Sequence, residues 1–345
     1  MSTVEHERGI SVVVPVKGRV PQMRAQLASL RAAMDRSPEP AEVLVVDDSE
    51  PADAAGHQLN CREFGARYVT GPRHVGAKRN LGVAQARYDL ILFTDSDCRV
   101  PPEILERHVK TLRGADPSVG GVAGPTFVEH SEAPTYRFMR WSKLLNDDLE
   151  RPRRRATVTW ATTTNLAVRR KAFEEVGGFP SESLTIVGGE DVDLGIKMSD
   201  AGYTTVCDPE TVVIHDHAST DSLATACRRL FTYGRSEQWL CTIHPSHRRP
   251  VLNAFTLATA AAAVGIVLVP RTGGRSLLAV PMALGLVAGA RARRLRGTDR
   301  SARAAVETFA CASVDLLFDL GGFVAAFELR RPGMLFTGLR PADAD

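Results

Sequence analysis

The chain contains 345 residues, with 43 Lys and Arg against 40 Asp and Glu and a formal net charge of +3. This length is enough to bury the core of one large domain or two ordinary ones. So small a net charge excludes a protein that binds nucleic acid through its overall basicity. The 6 cysteines include no CxxC pair and no Cys/His group with zinc spacing, which excludes a disulfide scaffold and indicates reduced thiols. The N-terminal MSTVEHERGI lacks the apolar segment of a secretory signal, so we expect this part of the chain to stay in the cytoplasm.

Strands of β-branched residues alternate with amphipathic helices in the first third of the chain. Residues 10–16, ISVVVPV, are typical of a buried strand, and the apolar positions after them recur at helical spacing. The same order repeats, with further strands or helices predicted over residues 41–48, 66–71, 76–86 and 88–97. This alternation predicts an α/β fold in which helices cover both faces of a mostly parallel sheet.

Longer polar loops separate the predicted elements after residue 120. We expect strands over residues 120–128, 157–169 and 211–217, followed by a helix over residues 220–242. This part of the chain is predicted to complete a mixed sheet and to contribute a second set of site residues.

The C-terminal part contains two apolar runs without charged side chains, at residues 254–269 and 277–290. Each is shorter than the roughly 20 residues that span a bilayer comfortably. Most of the arginines lie before the first run or after the second, and the segment that connects the runs holds only Arg271 and Arg275. The pattern therefore predicts a membrane hairpin over residues 253–290 with both ends in the cytoplasm. The alternative is an Ala-rich helical pair buried in a soluble domain or in a homodimer.

A third apolar stretch, residues 304–328, is interrupted by acids that would be costly in lipid: Glu307, Asp315, Asp319 and Glu328. We therefore expect an amphipathic helix that lies on the membrane surface or packs against the preceding domain.

Two acids, Asp95 and Asp97, stand at the end of the predicted strand LILFTDSD. Residues i and i+2 of a strand point to the same side, so the two carboxylates converge if the strand persists. Such a pair favours a divalent cation between them, and Mg²⁺ or Mn²⁺ usually completes its shell with water and phosphate oxygens. A nucleoside diphosphate ligand is implied. The alternative is that Asp97 caps the helix predicted to begin near Pro101 or Pro102.

Six elements occur together in one order: SVVVPVKGR, VVDDSE, GAKRNLGVAQA, FTDSDC, ATTTNLAVRRKAFEEVGGF and GGEDVDLGIKM. In this combination the chain resembles the family 2 glycosyltransferases of the GT-A fold, which are inverting enzymes that use nucleotide sugars. The resemblance covers roughly residues 9–240. It implies a Rossmann-like, mixed, mostly parallel sheet, here followed by an apolar helical region.

The resemblance also implies donor-binding roles in the first half of the chain, for Pro15, Val16, Asp47, Asp48, Lys78, Arg79, Asn80 and Asp95. Asp97 and Asp95 would bind Mn²⁺ or Mg²⁺, and His215, which we favour over His217, would be a further ligand. The alternatives are an Asx turn at Asp47 and Asp48, a solvated helix face at Lys78 and Arg79, and ordinary surface histidines.

On the acceptor side, inversion needs a base that takes a proton from the acceptor hydroxyl. By resemblance we expect Asp191 as this base, Glu190 as the group that orients hydroxyls and Asp193 as the reserve candidate. Gly189 would allow close approach of the backbone to the sugar. Arg235, with Arg228 and Arg229 as further candidates, would neutralise the diphosphate. The alternatives are acids that only support a helix N-terminus and a basic helix on anionic lipid.

These expectations describe a GT-A domain over residues 1–242, with a nucleotide-binding half at about 9–115 and an acceptor-side half at about 116–242. A membrane-associated helical region would occupy residues 243–345. The predicted activity is metal-dependent transfer of one sugar to a glycolipid, a peptide or a small metabolite at the cytoplasmic face of the membrane. We expect a UDP-linked donor, and GDP-mannose and dTDP-sugars fit the same site. The competing functions are a sugar nucleotidyltransferase and a non-catalytic subunit of an envelope or lipid assembly complex. No nucleic-acid partner is expected.

Overall fold

The computed structural model of the chain describes residues 6–180, 188–217 and 221–340. The predicted boundaries at residues 1 and 345 lie outside the described residues. Strands and helices alternate in the first half as β1 (Glu7–Val16), α1 (Val20–Arg36), β2 (Ala41–Asp47), α2 (Pro51–Phe64), β3 (Arg67–Thr70), α3 (Val75–Gln85), β4 (Tyr88–Phe93), β5 (Cys98–Arg99) and α4 (Ile104–Gly114).

The acceptor-side half follows with shorter elements: β6 (Val119–Ala123), β7 (Thr126–Val128), α5 (Pro134–Met139), α6 (Lys143–Glu150), β8 (Thr157–Val158), β9 (Leu166–Arg169), α7 (Arg170–Glu175), α8 (Glu190–Asp200), β10 (Thr204–Cys207) and β11 (Val213–His215). The remaining elements are α9 (Leu223–Ile243), β12 (Arg248–Pro250), α10 (Ala254–Thr272), α11 (Ala279–Arg296), α12 (Ala302–Glu328) and β13 (Thr337–Leu339).

The described strands form a central sheet in the order β3-β2-β1-β4-β9-β6-β10-β8. Strands β2 and β4 both pair in parallel with β1, whereas β9 pairs antiparallel with β4 and β6. A smaller sheet, β5-β11-β7, adjoins it. The mixed, mostly parallel sheet predicted from the sequence is confirmed. Its carboxyl-terminal edge brings together the ends of β1, β2 and β4, where ligands of α/β sheets bind.

The continuous apolar runs form strands because helices cover both faces of the sheet. Along β1, Val12 and Val14 face the core beside α1, while Val13 faces the opposite core beside α3. Helix α3 approaches this strand so closely that a Cβ at Gly82 would lie 2.4 Å from a methyl group of Val13. The fold therefore holds the N-terminal end of α3 firmly beside the ends of β1 and β2.

Three strands differ from the prediction. Strand β4 ends at Phe93, and residues 94–97 turn away from the sheet, so side-chain alternation along a strand does not position Asp95 and Asp97. The predicted strand over 157–169 is two short strands, β8 and β9, separated by a polar loop. The predicted strand over 120–128 is divided between β6 and β7, which belong to different sheets.

The C-terminal helices join the rest of the protein through α12, which packs on α9, while α10 and α11 pack against α12. Helix α12 runs close along α9, since an added Cβ at Gly234 would lie 1.8 Å from the carbonyl oxygen of Phe318, and one at Gly321 would lie 2.0 Å from that of Phe231. Helices α10 and α11 form a hairpin. In the described chain, three helical segments are long and apolar enough to cross a membrane: residues 254–272, 275–296 and 302–328.

Candidate functional site

The carboxyl ends of β1 and β2 meet at a buried lysine. Lys78 Nζ donates to the carbonyl oxygen of Val16 at 2.8 Å and pairs with Asp48. The second carboxylate oxygen of Asp48 is buried and accepts no hydrogen bond within the described residues, with Lys17 Nζ 3.6 Å away. This oxygen is placed to accept a hydrogen bond from a ligand at the end of β1, where Pro15 and Val16 also lie.

Asp47 has a different environment from Asp48. Its carboxylate accepts hydrogen bonds from the backbone N–H of Ser49 at 2.8 Å and from the hydroxyl of Tyr68 at 2.9 Å. Asp47 is 1% exposed. These contacts of Asp47 are those of an Asx-type turn at the end of the strand, which is the alternative to a donor-binding role.

Arg79 joins the two halves of the site. Its guanidinium donates to Asp95 and to Glu190, each at 2.9 Å, and lies 5.5 Å from the ring centroid of Phe179. The side chain is buried and both of its terminal nitrogens are ion-paired, so it is not on a solvated helix face. Its charge holds two carboxylates from opposite halves of the sequence at one place.

Asn80, the next residue of α3, supports the loop beside the site. Its amide donates to the carbonyl oxygen of Phe179 at 2.8 Å and accepts from the N–H of the same residue at 3.0 Å. This arrangement holds the GGF turn in place, so the contacts of Asn80 are with the protein backbone.

Asp97 and His215 come together at the edge of the small sheet. The Nε2 atom of His215 lies 3.5 Å from an Asp97 carboxylate oxygen, and the thiol of Cys98 lies within 4.8 Å of both. The other ring nitrogen, Nδ1, is 2.8 Å from the carbonyl oxygen of Asp216, which favours a proton on Nδ1 and leaves Nε2 as a lone-pair ligand. This donor set suits a divalent cation with oxygen and imidazole ligands.

The surroundings of Asp97 and His217 bear on the roles predicted for them. Burial raises the pKa of Asp97, and Asp95 adds to the rise, while His215 and Arg19 oppose it; a bound cation would favour the ionised form. Asp97 does not cap α4, because Glu103 is the N-cap residue of that helix. The Nδ1 atom of His217 lies 2.6 Å from a carboxylate oxygen of Asp221.

Arg19 is a site residue that the sequence analysis missed. Its guanidinium pairs with Asp97, and its backbone adopts φ 60°, which is uncommon for a residue other than glycine. Residues held in this conformation cluster at functional sites. The sequence feature that could have indicated Arg19 is its position directly after the VPVKG segment at the end of β1.

The acceptor-side acids lie at the N-terminus of α8. Gly188 and Gly189 adopt φ 110° and 82°, so the turn before the helix requires glycine. Burial raises the pKa of Asp191 to about 7, the nearby charge of Glu190 adds to the rise, and Arg79 opposes it. Asp193 is instead paired with His244 and with Lys197, each at 2.8 Å. Of these acids, Asp191 has the environment of a proton acceptor.

On α9 the structure separates the candidate arginines. Arg235 pairs with Glu328 of α12 at 2.9 Å. Arg229 instead donates to the hydroxyl of Tyr233 at 2.9 Å. Burial lowers the pKa of Arg229, but Tyr233 and, to a smaller extent, the charges of Asp97 and Asp95 raise it above its ordinary value.

Comparisons with known proteins concern the sequence and the fold of the chain. The sequence family described as Glycosyl transferase family 2 matches residues 11–177. A pre-mycofactocin glycosyltransferase of Mycobacterium tuberculosis is 30% identical over 71% of this chain and 50% of its own length. Glycosyltransferase AglE of Haloferax volcanii is 28% identical over 56% of this chain and 62% of its own. The chain therefore spans about half the length of the mycobacterial relative.

The fold is also known from a solved structure. A mannosyltransferase from Pyrobaculum calidifontis, PcManGT, determined in complex with GDP-Man and Mn²⁺, superposes with a TM-score of 0.57 at 18% identity. The superposition covers 94% of this chain and 90% of that one. Residues 11–177 thus match the family 2 glycosyltransferases in sequence, and the shared architecture shows that the chain has the GT-A fold.

Proposed function

We propose that the protein is a glycosyltransferase that moves one sugar, with inversion, from a nucleoside diphosphate donor to an acceptor hydroxyl, with the help of a divalent cation. The observation that carries the proposal is the buried Arg79, which holds Asp95 and Glu190 together at 2.9 Å each, between the predicted metal ligands and the predicted base. Both relatives named above are described as glycosyltransferases.

The donor would lie along the carboxyl ends of the strands. The Asp48 oxygen that accepts no hydrogen bond among the described residues, with Lys17 3.6 Å away, is a suitable acceptor for an N–H of the nucleobase. Asp97 and His215 would hold the divalent cation, with Asp95 beside them, and Mn²⁺ and Mg²⁺ both suit these ligands. When bound, the cation would neutralise charge on the diphosphate, and the guanidinium of Arg229 would add to this neutralisation.

The acceptor would approach from the side of α8. Asp191 would take the proton of the acceptor hydroxyl while that oxygen bonds to the anomeric carbon and the bond from this carbon to the diphosphate breaks. Glu190, fixed by Arg79, would orient hydroxyl groups, and the glycine turn at Gly188 and Gly189 would let the sugar approach the backbone. The acceptor class is open among a glycolipid, a peptide and a small metabolite.

The first experiment tests the donor and the cation together. Binding of UDP and of GDP to the full chain is measured by calorimetry with Mn²⁺ and with EDTA. We expect tight binding only with the cation, and loss of this cation dependence in Asp97→Ala. Asp35→Ala, which removes an exposed acid of α1 paired with Arg31, is the matched control. Cation-independent binding that is equal in both variants would contradict the proposal.

A second experiment separates an enzyme from a non-catalytic relative. The chain is incubated with UDP-linked and GDP-linked sugars and Mn²⁺, and slow release of the free sugar is measured. We expect hydrolysis of one donor series that Asp191→Asn reduces. Binding without any turnover would instead favour a non-catalytic subunit.

We place the protein at the cytoplasmic side of a membrane as part of the proposal. The support is the apolar hairpin of α10 and α11, together with the arginines that surround its base: Arg248, Arg249, Arg293, Arg294, Arg296 and Arg300.

A further inference from the structure

Helix α12 is amphipathic in the opposite sense to a helix on the surface of a soluble protein. Two of its four acids are buried against the protein: Asp315 and Asp319 are each 4% exposed. Apolar side chains face outward, with Val306 71%, Phe309 48% and Phe327 54% exposed. A helix of a soluble domain normally turns its apolar face to the core, so the outward face of α12 needs another apolar environment.

Each buried acid of α12 has a specific partner in the protein. Glu307 accepts a hydrogen bond from the indole N–H of Trp141 at 3.1 Å, and Asp315 accepts one from the hydroxyl of Ser142 at 2.7 Å. Asp319 pairs with Arg291 at 2.5 Å. If α12 left the protein and crossed the bilayer surrounded by lipid, these contacts would break and the charged groups would lose their partners. The helix is therefore fixed with its acids inward, and it cannot be a free transmembrane span.

The outward positions lie along one face of the helix and define a stripe. Its members recur at intervals of three, four or seven residues, which keeps them on that face. Val306, Phe309 and Phe327 are exposed and apolar, Leu320 and Val324 are half-buried, and Ser313 is an exposed polar position between them. Exposed arginines lie at both ends of α12, namely Arg300 before it, Arg303 in its first turn, and Arg330 and Arg331 after it. An apolar stripe between cations fits acyl chains beneath anionic headgroups.

The stripe is continuous with the base of the hairpin. Phe323 of α12 lies 6.4 Å from Phe255 in the first turn of α10 and 5.3 Å from Phe327, measured between ring centroids. Asp319 also accepts from the backbone N–H of Ala254 at 3.1 Å, so it caps the start of α10. A hairpin that enters a bilayer from this point brings the α12 stripe to the bilayer surface.

The hairpin itself has the length for crossing. The 19 residues of α10 extend about 28 Å at the usual helical rise, close to the ~30 Å of a hydrocarbon core. Beyond its base it is exposed and apolar, with Val264 61%, Val267 73% and Leu286 72% exposed. Arg271 and Arg275 at its tip can reach the opposite headgroups.

We propose that the bilayer contacts this protein in two ways: the α10–α11 hairpin crosses it, and α12 lies flat in its cytoplasmic surface through the outward stripe. A second copy of the chain is a poorer occupant of the stripe, since two arginine-flanked surfaces would repel each other. The proposal rests on the membrane location given above and goes further by assigning a different role to each apolar helix.

Tryptophan quenching tests the two contacts separately. The full chain is reconstituted in vesicles of phosphatidylcholine and phosphatidylglycerol, whose acyl chains carry bromine either near the headgroup or near the chain end. Single variants Phe309→Trp and Phe327→Trp probe the stripe, and Val264→Trp probes the middle of α10. Leu59→Trp on α2, at a position that is 61% exposed, is the control. Emission is compared with that of the unmodified chain.

We expect the stripe variants to lose most of their added emission with shallow bromine, Val264→Trp to lose it with deep bromine, and Leu59→Trp to lose none. Deep quenching at Phe309→Trp would mean that α12 spans the bilayer and would overturn the proposal. Quenching at Val264→Trp alone would also overturn it while leaving the membrane location intact. No quenching at any position would reject that location too. The readout does not depend on sugar transfer.

Discussion

The roles of the acids at the start of α8 depend on their contacts and not on their spacing. Glu190 is neutralised by Arg79, and Asp193 by Lys197 and His244, whereas Asp191 has the raised pKa that its burial causes. The sequence predicts an acidic first turn, and the resemblance points to Asp191. Only the structure shows that its neighbours already have partners.

Asp191→Asn is therefore expected to lower kcat by about 10²–10⁴-fold, because the amide cannot accept the proton, and to leave donor affinity nearly unchanged. Asp193→Asn is the matched comparison on the same helix turn. Its expected effect is on stability, since Lys197 and His244 lose a charged partner, with a lower Tm and a nearly normal kcat. A reversal of the two phenotypes would transfer the role of base to Asp193.

The raised pKa of Asp191 also predicts the pH dependence of turnover. A base must be deprotonated to act, so kcat should fall about tenfold per pH unit below a pKa of about 7 and level off above it. Because the folded-state pKa exceeds that of the unfolded chain, the same group favours folding at low pH, and this contribution is lost as pH rises through about 7. Steady-state rates at saturating donor, measured from about pH 5 to about pH 9, check the first part. A flat profile would contradict it.

The arginines of α9 show where residue-level prediction from sequence stops. Arg229 and Arg235 both belong to one helix, and either is a reasonable partner for a diphosphate. The face that carries Arg235 is covered by α12, through Glu328, and α12 lies far along the chain. No local pattern in α9 reveals which face a distant helix will cover, so the sequence could not show that Arg235 pairs with Glu328.

At the scale of elements, the alternation of strands and helices in the first half was predictable because each apolar run is long and ends in polar residues. The residues at which the strands and helices end were not predictable in the same way. The identity of the small sheet depends on pairings such as Ile214 with Arg99 and Phe127, which join three distant segments. These pairings bring His215 beside Asp97, in place of the strand alternation expected from the sequence.

The crossing of α9 and α12 leads to a prediction about packing. In Gly234→Ala the new methyl group would lie 1.8 Å from the carbonyl oxygen of Phe318, so the helices must separate. Overpacking of this kind lowers the free energy of unfolding by about 1–3 kcal/mol. We therefore expect the variant to have a clearly lower Tm than the unmodified chain, with both measured in one detergent. Gly114→Ala at the end of α4, where a Cβ meets nothing within 4 Å, should leave Tm unchanged or slightly raised. Equal Tm values for the two variants would show that α9 and α12 are not in this contact.

At the scale of the whole molecule, the apolar C-terminal region serves two purposes that hydropathy does not distinguish. All three of its long described helices have the length and composition of a membrane span. One of them, α12, is held by Trp141 and Ser142 of the acceptor-side half and by Arg291 of α11. The acids within it predicted that it would avoid the bilayer interior, but their partners could not be predicted because they come from separate parts of the chain.

Two deletions should therefore behave differently. The contacts of Ala254 and Arg291 with the same carboxylate oxygen of Asp319, at 3.1 and 2.9 Å, bring the base of the hairpin together. Residues 259–286 of α10 and α11 can thus be replaced by a Gly/Ser linker of about eight residues, which reaches up to about 26 Å. We expect this variant to purify without detergent, to bind donor normally, and to bind anionic vesicles reversibly.

Removal of residues 250–345 is the contrasting deletion, because it also strips α12 from α9. It exposes the close-packed face around Gly234 and removes the partners of Trp141 and Arg235, so we expect aggregation or a strongly lowered Tm. Light scattering and thermal unfolding compare the two variants, and vesicle flotation with added salt checks the reversible binding of the first. If the long deletion gave a stable, soluble protein, α12 would be dispensable to the catalytic domain. If the hairpin-deleted variant stayed on vesicles at high salt, the hairpin would not be the integral anchor.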